Sequence, residues 1–140
     1  MKKAVLPAAL LGVSLLAMAA EVRVYPGATA EDFAAWQRKH PNVNVPPGMH
    51  VERYSTPDPL DKVVAFYAKI GRESGEEKRL KLKTGEEIRM RTFILDGSKK
   101  DAATSKLFVR IQRPYVDYIS PELRGEGVKQ LTAIEVISRD

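Results

Sequence analysis

Three stretches in the second half of this chain alternate apolar and polar residues with a period of two, and that period constrains the fold more than any other feature. Arg79 to Lys83 puts Leu80 and Leu82 on one side. Lys106 to Arg113 does the same with Leu107, Val109 and Ile111, and Gln130 to Ser138 with Ile134 and Val136. Successive side chains of a strand point to opposite faces, so each stretch predicts a strand with one covered face. Thr84-Gly85 is a turn signal, and Glu86 to Leu95 reads as the return strand of a hairpin.

An apolar sheet face needs a cover, and the chain carries one before the strands. Leu60, Val63, Val64, Tyr67 and Ile70 follow the i, i+3, i+4, i+7 spacing of a helix stripe. Asp58 is placed as N-cap, Pro59 at N1, Asp61 in the first turn and Gly71 just past the end. Thr29 and Asp32 resemble a capping box for a first helix from Ala30 to about Lys39, with Phe33 and Trp36 read as core. Val22 to Tyr25 is a short strand-like run ended by Pro26-Gly27, and Met49 to Tyr54 reads as another strand. The stretches Pro41–Gly48, Asp96–Ser105 and Pro114–Gly127 read as connections, the last a long irregular loop. The sum is an α+β fold: a mostly antiparallel sheet of four to five strands with one or two helices packed on one face.

The first nineteen residues carry a different signal. Lys2 and Lys3 precede an uncharged apolar stretch from Ala4 to Leu16, and Ala17-Met18-Ala19 offers small residues at a cleavage site. This is the pattern of a secretory signal peptide. It predicts removal of residues 1–19 near Ala19 and a single exported domain over 20–140, periplasmic or secreted. The uncharged run to Ala20 is at the short limit for a membrane span and contains Pro7 and Gly12, so no stable membrane insertion is expected after cleavage. The chain has no cysteine, which excludes a cysteine-linked lipid anchor, disulfides, thiol catalysis and thiolate metal sites. Of 140 residues 121 would remain, enough to bury roughly two-thirds of the unfolded surface without a staple. Loss of the two leader lysines lowers the net charge of +5 by two. A mildly basic exported chain points to envelope anions or to no specific partner, not to nucleic acid.

Candidate binding residues come from the polar side of the strands. Arg79, Lys81 and Lys83 alternate outward on one, Arg89, Arg91 and Phe93 on the next, and Lys106, Phe108, Arg110 and Gln112 on a third. On neighbouring strands these would form one basic face. Such a face serves either as an anion platform or as a solvated surface that blocks edge pairing. Arg89, Arg91 and Arg110 lead the anion-binding set because guanidinium grips carboxylate or phosphate with two bonds, and Lys81 and Lys106 join them. Tyr115 and Tyr118, with Val116 and Ile119, suggest a partner-contact loop or rings tucked over the core. His40 suits the end of the first helix, and His50 opens a strand beside Glu52. Zinc spacing, a phosphate-binding Gly loop, G-x-S-x-G and H-E-x-x-H are all missing, so no catalytic residue and no cofactor is read from the chain.

Two resemblances add to this. Val24-Tyr25-Pro26-Gly27-Ala28, the segment Tyr54 to Tyr67, Phe93 to Gly97 and Ser105 to Tyr115 resemble a group of small signal-peptide-bearing bacterial proteins with no assigned activity. That resemblance implies export and one small domain. More distantly, a strand followed by Thr56, Asp58, Val63, Phe66 and Tyr67 on a helix and then by strands is similar to one βαβββ module of the glyoxalase/vicinal-oxygen-chelate superfamily. It implies a homodimeric metalloenzyme with His50 or Glu52, and Glu135, as metal ligands. The leading expectation is a non-enzymatic exported domain that binds an envelope anion or a partner protein. The alternatives are the glyoxalase-type dimer and a structural or assembly module of the envelope.

Overall fold

A computed structural model of the chain describes residues 24–140. The leader over 1–19 and the first half of the Val22–Tyr25 run lie outside the described residues. Eleven elements follow in order: β1 (Thr29–Glu31), α1 (Phe33–Lys39), β2 (Met49–Thr56), α2 (Leu60–Ala68), β3 (Arg72–Glu73), β4 (Lys78–Lys81), β5 (Glu87–Ile94), β6 (Leu107–Arg113), β7 (Tyr115–Ile119), β8 (Gly125–Lys129) and β9 (Thr132–Arg139). The fold is α+β with two helices among the described residues, but the strands there number nine in two antiparallel sheets, not four to five in one. The main sheet runs β1-β2-β9-β6-β5-β3, with β4 also paired to β5, and β7-β8 form a separate ribbon. No described helix is long and apolar enough to cross a membrane.

The helix stripe does what its spacing predicts. Leu60, Val63, Val64 and Tyr67 bury against Phe93 of β5, Val109 and Ile111 of β6, and Ile134 and Val136 of β9, closed at one end by Tyr25. Truncating one such aliphatic side chain to Ala costs about 2–5 kcal/mol. The predicted cap is displaced by one residue. Pro59 holds the N-cap position with no side-chain bond. The Asp58 carboxylate instead accepts the Tyr25 hydroxyl at 2.6 Å, tying the N-terminal turn to the helix start. Gly71 lies where the chain leaves the helix against β5; a Cβ there would stand 2.5 Å from Leu95 Cδ2 and 2.7 Å from the Ile94 carbonyl oxygen.

Three expectations need correction. The first helix starts at Phe33, not Ala30, because Thr29 to Glu31 pair with Ser55 to Arg53 of β2. Asp32 then caps the helix by accepting the Ala35 N–H at 2.9 Å. Pairing to a neighbouring strand has overridden the local cap signal. Secondly, the stretch taken as a loop over 114–127 is the β7-β8 ribbon, with Tyr115 opposite Lys129 and Ile119 opposite Gly125. Val116 anchors it on Leu82 and Ile88. Thirdly, the helices do not share a face. Arg53 alternates with Tyr54, which packs into the α2 core, and the Arg53 guanidinium stacks on Phe33 and Trp36 of α1. The short α1, which buries no residue fully, therefore sits on the opposite side of the sheet.

Candidate functional site: a guanidinium-floored groove

Cross-strand register assembles the most unusual cluster on the sheet face away from α2. Arg53 of β2 lies opposite Glu135 of β9, and Glu135 lies opposite Arg110 of β6. Three charged side chains thus stand in a row across three adjacent central strands. Glu135 Oε2 accepts from Arg53 Nε at 3.0 Å and Nη2 at 2.7 Å. Its Oε1 accepts from Arg110 Nε at 3.1 Å and Nη2 at 2.7 Å. Each guanidinium forks onto one oxygen. Burial pushes the Glu135 carboxyl up, but Arg110 and Arg53 together outweigh it and hold the group below its ordinary range.

The row is asymmetric. Arg53 and Glu135 side chains are only 13% and 14% exposed, whereas Arg110 is 45% exposed. Phe33 and Trp36 lie over Arg53, with its Cζ 4.9 and 4.8 Å from their ring centres. Burial raises the pKa of the nearby Tyr115 phenol, and the positive charge of Arg53 opposes the rise. Arg110 by contrast spends Nε and Nη2 on Glu135 and has no acceptor for Nη1 among the described residues. That donor edge of its guanidinium is therefore left for another acceptor.

Hollows meet at this row. One of about 230 Å³ runs beneath β7, between Arg110, Glu135, Tyr115 and Ile119. A second of about 350 Å³ lies between α1 and residues 43–51. Arg53, Arg110 and Glu135 line both. Trp36 lines both hollows and belongs to an aromatic ladder. Phe33 stacks on Trp36 with ring centres 5.5 Å apart, Trp36 on His40 at 4.4 Å, and His40 on Tyr118 at 4.8 Å. Trp36 Nε1 donates to the Asp117 carbonyl at 2.7 Å, and His40 Nδ1 meets the Trp36 carbonyl oxygen at 2.9 Å. The ladder joins α1 to β7 across the open side of the sheet. Phe33 and Trp36, read as core, are therefore half-exposed groove wall.

The expected single basic face does not form. β5 and β6 pair with Arg89 opposite Arg113, Arg91 opposite Ile111 and Phe93 opposite Val109. Arg89 and Arg91 consequently share the α2 face with Phe93, while Phe108 and Arg110 point the other way. Arg79 and Lys81 pair with Arg89 and Glu87 and lie on the α2 side as well. On that side the cations are matched: Glu77 binds Arg89 at 2.8 Å and Arg79 at 3.0 Å, and Glu73 binds Arg91. The Arg89 and Arg79 guanidiniums pull the Glu77 carboxyl below its ordinary value. Lys81 is exposed and donates to the Gly85 carbonyl at 3.1 Å, and Lys106 is exposed just before β6. Only Arg110 of the expected set reaches the groove. Tyr115 turns inward, and Tyr118 stacks on His40.

The expected metal pair separates likewise. His50 lies opposite Ser138, and Glu135 opposite Arg53, an odd step along β2, so the two project from opposite faces and cannot share an ion. His50 instead meets the Asp140 carboxylate at 2.9 Å. Among the described residues no three His, Asp or Glu side chains are grouped so that they could hold a metal ion. Arg53 was missed from the sequence because it reads as an ordinary strand-flanking cation; Glu135, between Ile134 and Val136, and Arg110, between Val109 and Ile111, were visible signals of charges set inside central strands. Neither a protein-family model, nor a curated protein, nor a solved structure matches this chain.

Proposed function

We propose that this chain is an exported, non-catalytic binding domain that takes an anionic envelope component in the groove above Arg53, Glu135 and Arg110. The observation that carries this reading is the charge balance of the larger hollow. Arg53, Arg110 and Arg139 face Glu135 alone, and the Nη1 edge of Arg110 is open. Arg139 is held by the Ala102 carbonyl at 2.8 Å and stacks on Phe108, so it shapes the floor. Arg110 is the group that grips, and Glu135 positions it. The leader pattern supports export, and the mass of the protein recovered from its native host would show a chain beginning at Ala20.

Flotation with phosphatidylglycerol vesicles and with phosphatidylcholine vesicles tests the reading. Binding only to the anionic vesicles, weakened by salt and reduced about tenfold in Arg110→Gln, is the expected result. Equal binding of both vesicle types, or binding untouched by Arg110→Gln, would overturn it.

A further inference from the structure

The groove is not a uniform anion site, because its walls are apolar. Phe33, Trp36, Val43, Val45, Met49 and Val51 enclose the larger hollow, and the guanidinium row lies along its floor. A small hydrated anion would satisfy Arg110 and leave these walls wet. A neutral apolar molecule would cover them and strip water from a guanidinium with an unpaired edge, which costs free energy. One chemistry meets both demands. We infer that the occupant is a single-chain amphiphile, with its anionic head on Arg110 and its unbranched tail between α1 and residues 43–51. The inference rests on the anion-binding reading and names its ligand class. Charge complementarity fixes the sign of the head: three guanidiniums against one carboxylate leave an excess of positive charge, and the free edge of Arg110 offers one place for one anionic group. The floor fixes where it sits, since Arg110 borders both hollows and has a free donor edge.

Trp36 reports occupancy directly. It is the chain's single tryptophan and lines both hollows. Mature protein is titrated with octanoate, decanoate, decanol, acetate and inorganic phosphate at monomeric concentrations. Trp36 emission and calorimetry are read together. Decanoate is expected to shift the emission and to bind roughly tenfold more tightly than octanoate, as burial of two methylenes allows. Decanol binds at least tenfold more weakly than decanoate. Arg110→Gln removes the advantage of decanoate over decanol and keeps the chain-length effect, while Arg110→Lys restores part of the advantage. Val43→Asp removes the chain-length effect. If phosphate or acetate binds as tightly as decanoate and depends on Arg110, the amphiphile inference fails and the anion reading stands. If decanol equals decanoate and Arg110→Gln changes nothing, the anion reading itself fails. If no probe binds by either readout, the amphiphile inference is overturned.

Discussion

Replacing Glu135 by Gln removes one charge from the middle of a three-residue row and separates two kinds of partner. Glu135 accepts four N–H bonds, two from each guanidinium. Charge-assisted bonds each contribute about 1.5–3 kcal/mol, and breaking a buried ion pair from one side costs about 3–5 kcal/mol. The two arginines do not respond alike. Arg110, 45% exposed, can turn to water, so its share is discounted to about 0.5–1 kcal/mol. Arg53, 13% exposed and roofed by Phe33 and Trp36, has nowhere to go. Glu135→Gln should therefore destabilise by about 3 kcal/mol in urea unfolding, with an unchanged slope. A double-mutant cycle should give Arg53–Glu135 a coupling at least twice that of Arg110–Glu135. The pH dependence carries a definite sign. The folded pKa of Glu135 is depressed, so its stabilisation is complete above the ordinary carboxylate value near 4.5 and is lost as pH falls through the lowered value. Glu135→Gln should remove that acid-side loss. A destabilisation under about 1 kcal/mol, or Arg110→Gln costing more than Arg53→Gln, would refute the account.

Two further perturbations probe the scaffold. Gly71→Ala would force a Cβ against the Ile94 carbonyl and should cost about 1–3 kcal/mol by thermal unfolding; a neutral effect would show that α2 can pull away from β5 freely. On the alkaline side, burial first and then Asp58 raises Tyr25 to about 12, and burial first and then Glu52 raises Tyr54 to about 12. A raised folded pKa means stability that is complete below pH 10 and lost as pH rises towards 12. Phenolate absorbance from these rings should appear together with loss of ellipticity, and in Tyr25→Phe the alkaline loss should shrink.

The period-two runs and the helix stripe were legible because each demands a cover along its whole length. Leu107, Val109 and Ile111 could not all be solvated, nor could Leu60, Val63, Val64 and Tyr67. Those residues determined by themselves that a helix packs on an antiparallel sheet. Strand character at Tyr115 to Ile119 was also present, in its aromatic and β-branched residues, but Pro114 and the neighbouring glycines masked it.

Which face each cation occupies was decided only by tertiary pairing. Glu87 to Ile94 carries large apolar residues on both of its sides, Ile88 and Ile94 on one and Phe93 on the other, so its pattern does not name the buried face. A one-residue change of register inverts every side chain of a strand. The observed register with β6 sends Arg89 and Arg91 to the α2 side, where acidic residues await them, and puts Arg110 on the other beside Glu135. Arg53, Glu135 and Arg110 are separated by up to 82 positions in sequence and meet because β9, from the end of the chain, inserts between β2 and β6. Local sequence sets which residues need cover; strand order and register, set by the summed burial of the whole sheet, decide which charges become neighbours.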